Sequence, residues 1–369
     1  MGTGLVGRVG YDRMGFSGSV LRFGMHGSPW CDGSGTASTR DARTMLGVGN
    51  IARMLLPAVC TVMLSMGIGC ARDSGATAGR YPFFRWVGEQ GLRPGQFQKP
   101  RSVAGDGGGG FYVVDMTGRV QHLSLDGRWL GQWQMPEIEL GKPKGLALGE
   151  GGGVWVGEPH YSRMNLFAPD GVLEKQWGQF GLADVDLTFP RDVVWDGGGH
   201  LFLVEYGHFH RVRRFTVEGE LLQQWGSYGE EPGAFKRPEG LAWSAGRLYV
   251  ADACNHRVQV FDGDGRLLQV IGEAGNGPGQ MRFPYDVAVD TTGRLYVCEY
   301  GNSRISVFDS EGRWLGMFGL NADPALDLLN PWSIDLVEPE DALIVADSNH
   351  HRILVAETEG LLAYWEDRN

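Results

Sequence analysis

The chain has 369 residues, 42% of them hydrophobic and 21% charged, which is enough apolar material for a packed core in one large domain or two ordinary ones. Its 59 glycines follow no Gly-X-Y period, which excludes collagen, and its five cysteines (Cys31, Cys60, Cys70, Cys254, Cys298) contain no CxxC pair, which excludes a dense disulfide framework. The net charge is −11, and an acidic body repels phosphate backbones, so nucleic acid is an unfavourable partner.

Residues 1–44 show no apolar periodicity and are rich in Gly, Ser and Arg, so they are expected to be disordered or to lie upstream of the true start. Residues 45–70 have the order of a signal segment. Arg53 is followed by the uncharged run Met54–Ile68, short for a membrane span and suited to a signal core. The run ends Met66-Gly67-Ile68-Gly69-Cys70, which resembles a bacterial lipobox with Gly67 in place of an aliphatic residue. The resemblance implies export, lipidation at Cys70 and membrane attachment, with residues 71–80 as a polar tether; a retained single-pass anchor is the alternative.

From residue 81 to 369 the chain repeats. Six copies begin at Pro100, Pro143, Pro190, Pro238, Pro284 and Pro331. Each holds four short apolar runs separated by turn residues such as Asp262-Gly-Asp-Gly265, which predicts four antiparallel strands per copy. A four-stranded unit cannot bury both faces alone; arranged radially, each sheet covers its neighbour. The predicted fold is therefore all-β: a six-bladed β-propeller of four-stranded antiparallel blades, monomeric. Phe84-Arg-Trp-Val-Gly88 and Leu361-Leu-Ala-Tyr-Trp365 both look like outermost strands, and one of them should complete the last blade.

The linkers Gly88–Pro100, Gly226–Pro238 and Gly272–Pro284, with the blade segment Leu248-Tyr-Val-Ala-Asp252 through Asn255-His256-Arg257, resemble the NHL repeat family over roughly residues 80–369. The resemblance implies a six-bladed propeller whose binding site is the mouth of the central channel. Six-bladed relatives include an amidating lyase that uses zinc-ligating His with a catalytic Arg and Tyr, and calcium-dependent lactonases. In the lyase pattern His follows the repeat proline in some blades; here those positions hold Arg101, Lys144, Arg191, Glu239, Tyr285 and Trp332.

Three groups of side chains are candidates for the mouth. One ends the second strand of each copy: Asp115, Glu158, Glu205, Asp252, Glu299 and Asp347. An arginine follows each (Arg119, Arg163, Arg211, Arg257, Arg304, Arg352), which makes structural pairing the simpler account. The second lies in the next loop: His160 and Tyr161; Tyr206, His208 and His210; His256; Tyr300 and Asn302; His350 and His351. His160, His208 and Glu205 are the best metal candidates, for Zn²⁺ through imidazoles or Ca²⁺ through carboxylates. The third comprises the six residues after the repeat proline together with Asp192 and Asp286, basic on one side and acidic on the other. Trp133, Trp177, Trp225 and Trp365 are regular enough to be packing residues, and Cys254 with Cys298 are either two buried thiols or a disulfide. No GxSxG or HExxH motif is present. The favoured expectation is a binding module for a protein, peptide or small ligand, and the alternative is a metal-dependent lyase or lactonase-like hydrolase.

Overall fold

The computed structural model describes residues 83–184, 186–319 and 324–367. The signal segment, Cys70 and the tether lie outside the described residues. Six four-stranded antiparallel sheets make up the fold. Blade 1 is Pro100–Gly105, Gly110–Asp115, Arg119–Ser124 and Trp129–Gln134; blade 2 is Leu146–Leu148, Val154–Glu158, Arg163–Phe167 and Leu173–Trp177. Blade 3 is Pro190–Trp195, His200–Glu205, Arg211–Thr216 and Leu221–Trp225; blade 4 is Pro238–Ser244, Arg247–Asp252, Arg257–Asp262 and Leu267–Ile271. Blade 5 is Pro284–Val289, Leu295–Glu299, Arg304–Phe308 and Trp314–Gly319. Blade 6 is Ser333–Val337, Ala342–Asp347 and Arg352–Glu357, completed from the other end of the chain by Phe84–Val87.

That last pairing closes the ring. Phe84 lies opposite Ala356 and Val87 opposite Ile353. Leu361–Trp365, the other candidate for the edge, is instead part of helix α1 (Thr358–Glu366). The edge it would have extended is already occupied, and the segment turns its apolar side inward: Leu361 is buried and Trp365 packs edge-on against Trp314.

The hydrophobic core is divided among the blade interfaces. Each cluster draws on two neighbours; one joins Val103, Phe111 and Val113 of blade 1 to Ile344, Ala346 and Val355 of blade 6. The strands that supply it are buried on both faces, hence their continuous apolar runs. The tryptophans near the ends of the outermost strands are packing residues. Trp133 meets Phe167 of the next blade, Trp177 meets Phe215 and Trp225 meets Phe261. The linker motif has a similar cause. Phe235 is fully buried, and Gly226 (φ +94°) lies so close that a Cβ there would stand 2.5 Å from its ring. Glycine thus meets both the left-handed backbone and the close approach. Cys298 is a free, buried thiol, so it forms no disulfide with Cys254.

Candidate functional site

The innermost strands begin with an irregularity that sets up the site. In blades 1, 3 and 5 the register slips between the repeat proline and the second residue after it, so Arg101, Arg191 and Tyr285 are extra residues. A bulge of this kind re-aims a side chain. Here it sends the residue after the proline across the channel mouth, above a second layer formed by Ser102, Asp192, Asp286 and Ser333.

The second layer joins blades. Ser102 Oγ accepts the Leu146 N–H at 3.2 Å, Asp192 Oδ2 that of Leu241 at 2.8 Å, Asp286 Oδ2 that of Ile334 at 3.1 Å, and Ser333 Oγ that of Val103 at 3.1 Å. Burial raises Asp286 to about 7. Burial and the neighbouring Asp286 push Asp192 well above the usual carboxylate range. Below this layer the inner strands enclose a cavity of about 260 Å³ with mixed walls, including Val193, Trp195, Trp243 and Val287 beside the two aspartates.

The first layer is built around one carboxylate. Glu239, fully buried, accepts from Lys144 Nζ at 2.7 Å, Arg191 Nε at 2.9 Å and Arg237 Nε at 2.6 Å. Burial alone would raise its pKa; Arg191, Lys144 and Arg237 overcome this and hold it far below the usual range. Aromatic rings complete the layer. Tyr285 and Tyr300 stack at 4.4 Å, with Trp332 edge-on to both at 6.0 and 6.3 Å. Tyr206 lies under Arg191 at 4.9 Å, and Trp332 under Arg101 at 4.8 Å. Arg101, Lys144, Arg191, Glu239 and Tyr285 are buried, whereas Arg237, Tyr206, Tyr300 and Trp332 remain partly open to solvent. These residues are therefore the floor of the mouth and not solvated loop residues, and the expected division into a basic and an acidic side is replaced by basic groups around a central Glu239. Arg237 escaped the sequence reading. Its signal is its place immediately before the repeat proline, where φ is +55° and the side chain is turned toward Glu239.

The carboxylates ending the second strands do not reach the channel. Every one pairs with the arginine of its own copy: Asp115 with Arg119 at 3.0 Å, Glu158 with Arg163 at 2.5 Å, Glu205 with Arg211 at 2.7 Å. Asp252 pairs with Arg257 at 2.8 Å, Glu299 with Arg304 at 2.7 Å and Asp347 with Arg352 at 2.8 Å. Most of these carboxylates accept linker N–H groups, as from Lys236 to Asp252 and Leu329 to Asp347, and most of the arginines donate to linker carbonyls such as Ala234 O. Glu205, Asp252, Glu299 and Asp347 are thus clamps for the linkers, and Glu158 is taken up by Arg163 and Asn165, so the expectation that these five serve as binding groups is corrected. The longer glutamate does not extend toward the channel; in Glu205 and Glu299 it serves the same clamp.

Most of the loop imidazoles are also fasteners. His210 Nδ1 accepts the Arg237 N–H at 2.8 Å, His256 Nδ1 that of Phe283 at 3.1 Å and His351 Nδ1 that of Lys99 at 3.1 Å. All three donors precede a repeat proline and have positive φ, so each histidine pins the strained entry to the next blade. His350 bonds Asp347 at 2.9 Å, and Asn302 Nδ2 donates to Glu299 at 2.5 Å and to Gly275 O at 3.0 Å. The three preferred metal candidates do not converge: Glu205 is buried between Arg211 and Arg213, while His160 and His208 are exposed. Among the described residues no group of three or more His, Cys, Asp or Glu side chains is arranged to hold a metal, and His160, His208 and Glu205 form no such group. His160 does border the mouth. Partial burial, then Arg101 and Arg191, lower its pKa.

This is the architecture of a six-bladed β-propeller closed by its N-terminal strand, with its blade-specific residues gathered at one mouth. Residues 328–356 match the NHL repeat, and residues 231–327 match a family described as 6-bladed β-propeller, so the chain is a six-bladed propeller that carries NHL repeat sequence. No functionally curated protein has a significant match to it. Solved structures with the same fold include a streptogramin B lyase (12% identity, 74% of this chain and 98% of that one, TM-score 0.52). Others are a gluconolactonase from Xanthomonas campestris (18%, 71% and 87%, 0.55) and a protein of unknown function from Bacteroides thetaiotaomicron (17%, 74% and 76%, 0.57). At these identities the likeness concerns the fold alone.

Proposed function

We propose that this propeller is a binding module, exported and anchored at a membrane by its N-terminus, which captures a negatively charged small ligand or peptide end at the channel mouth. The observation that carries this reading is the composition of the floor: Arg101, Lys144, Arg191 and Arg237 surround the single carboxylate of Glu239, within an aromatic wall of Tyr206, Tyr285, Tyr300 and Trp332. A concave site with excess positive charge on a chain of net charge −11 favours anions locally where the body as a whole repels them. Binding is preferred to metal-dependent hydrolysis or elimination because the carboxylates and imidazoles offered for such chemistry are committed to linker clamps or stand apart. The test is equilibrium dialysis of the full chain against a mixture of small anions, cations and neutral compounds. Selective retention of anions, lost in the Tyr300→Ala/Trp332→Ala double variant, is expected; equal retention by that variant, or no preference for anions, would sink the reading. The attachment is tested separately: Cys70→Ser should move the protein from the membrane to the soluble extracytoplasmic fraction, and an unchanged distribution would remove lipidation from the account.

A further inference from the structure

The fold treats its buried cations uniformly, with one exception. Arg119, Lys144, Arg191, Arg211, Arg213 and Arg304 are buried, and each has a carboxylate partner. Arg101 is equally buried, at 8% exposure, and among the described residues it forms no ion pair. Its Nη1 reaches only Met116 Sδ at 3.3 Å, its Nε has no hydrogen-bond partner, and its remaining support is the face of Trp332 at 4.8 Å. The nearest candidate counterion, Glu239, is already shared by Lys144, Arg191 and Arg237. An uncompensated buried charge is costly, and burial followed by repulsion from Arg191 brings the Arg101 guanidinium down to about 9. An anion from outside would remove that cost.

Resting on the proposal that the mouth binds a ligand, we infer that Arg101 is the anchor for a planar carboxylate, whose attached ring lies on the shelf formed by Tyr300 and Trp332. One planar guanidinium matches one planar carboxylate; a phosphate calls for more donors, and the other three cations are held by Glu239. The shelf is a surface for a ring. Tyr300 and Tyr285 are nearly parallel (15°), Trp332 stands edge-on to them, and both Tyr300 and Trp332 are partly open to solvent.

Calorimetric titration of the full chain with benzoate, benzamide and phenyl phosphate tests this. Benzoate should bind at least tenfold more tightly than benzamide. Arg101→Met should lose at least tenfold in benzoate affinity while its melting temperature stays level or rises, since the variant removes a buried charge that has no partner. Arg101→Lys keeps the charge without the fork and should fall between the two; it supplies the affinity readout if the Met variant does not fold. Equal binding of benzoate and benzamide, undiminished benzoate binding by Arg101→Met or Arg101→Lys, or no benzoate binding at all would overturn the anchor. Preference for phenyl phosphate would overturn the carboxylate assignment but leave the anion-binding mouth standing, and that broader reading falls only by the dialysis result.

Discussion

Two rings of charge encircle the same channel and do different work. The outer ring, from Asp115–Arg119 to Asp347–Arg352, is the same carboxylate–arginine pair in six copies. Among the described residues the carboxylate also accepts a linker N–H in five of them, and the arginine also donates to a linker carbonyl in four. The inner ring has a different member in nearly every blade, and its members meet across the axis, as Lys144 of blade 2 does with Glu239 of blade 4. A geometry that recurs in every blade demands the same residue pair in every blade. A single ligand on a six-fold axis breaks the symmetry and demands different ones. Repetition therefore marks the scaffold and departure from it marks the site.

If that contrast is sound, no stability loss exceeds that from the outer ring. Asp252→Ala takes the carboxylate from half-buried Arg257 and from the Lys236 N–H and buried Gln259, and should cost about 3 kcal/mol, read as a lower urea midpoint. Glu239→Gln probes the one inner-ring residue that also supports the fold; with three cations released it should cost about 3 kcal/mol, whereas Lys144→Met should cost about 1 kcal/mol or less. A cost for Lys144→Met equal to that of Asp252→Ala would erase the distinction between the rings.

The second layer of the channel sharpens the comparison through pH. Asp286 titrates near 7 in the folded protein and near 4 when unfolded, so between these values the native state binds more protons and stability falls as pH rises. Asp286→Asn should flatten melting temperature against pH across that interval. His210 acts in the opposite sense. Burial lowers His210 to about 4, so its contribution is present above about pH 6.5 and is lost as pH falls toward 4. His210→Ala should cost about 1 kcal/mol at pH 7, by chemical denaturation, and less at pH 4. The smallest effect belongs to exposed His208: replacement by Ala should stay within about 0.5 kcal/mol.

The scaffold was legible in the sequence because it is periodic. The repeat prolines mark the entries to the innermost strands, and the linker spacing reflects one close contact made in four linkers, Gly88 with Phe97, Gly178 with Leu187, Gly226 with Phe235 and Gly272 with Met281. Sequence pattern failed where an outcome depends on which element arrives first or which way a side chain turns. Leu361–Trp365 has the apolar pattern of an outermost strand, but that edge is occupied by Phe84–Val87 and the segment is helical. The mouth residues after the prolines were found, but their bulges, and so their convergence on Glu239, are invisible in a one-dimensional pattern. Arg237, and the fastening role of His210, His256 and His351, were missed for the same reason: their partners are backbone groups and a carboxylate defined by the fold.

The closing strand also orders events in time. Phe84–Val87 is synthesised before any complete blade, yet its partner Ile353–Ala356 comes from the far end of the chain. During synthesis this strand cannot take up its native pairing until blade 6 emerges. The ring can then grow blade by blade but cannot lock early, and a chain cut short before Ile353 loses the grip on its own beginning as well as its end.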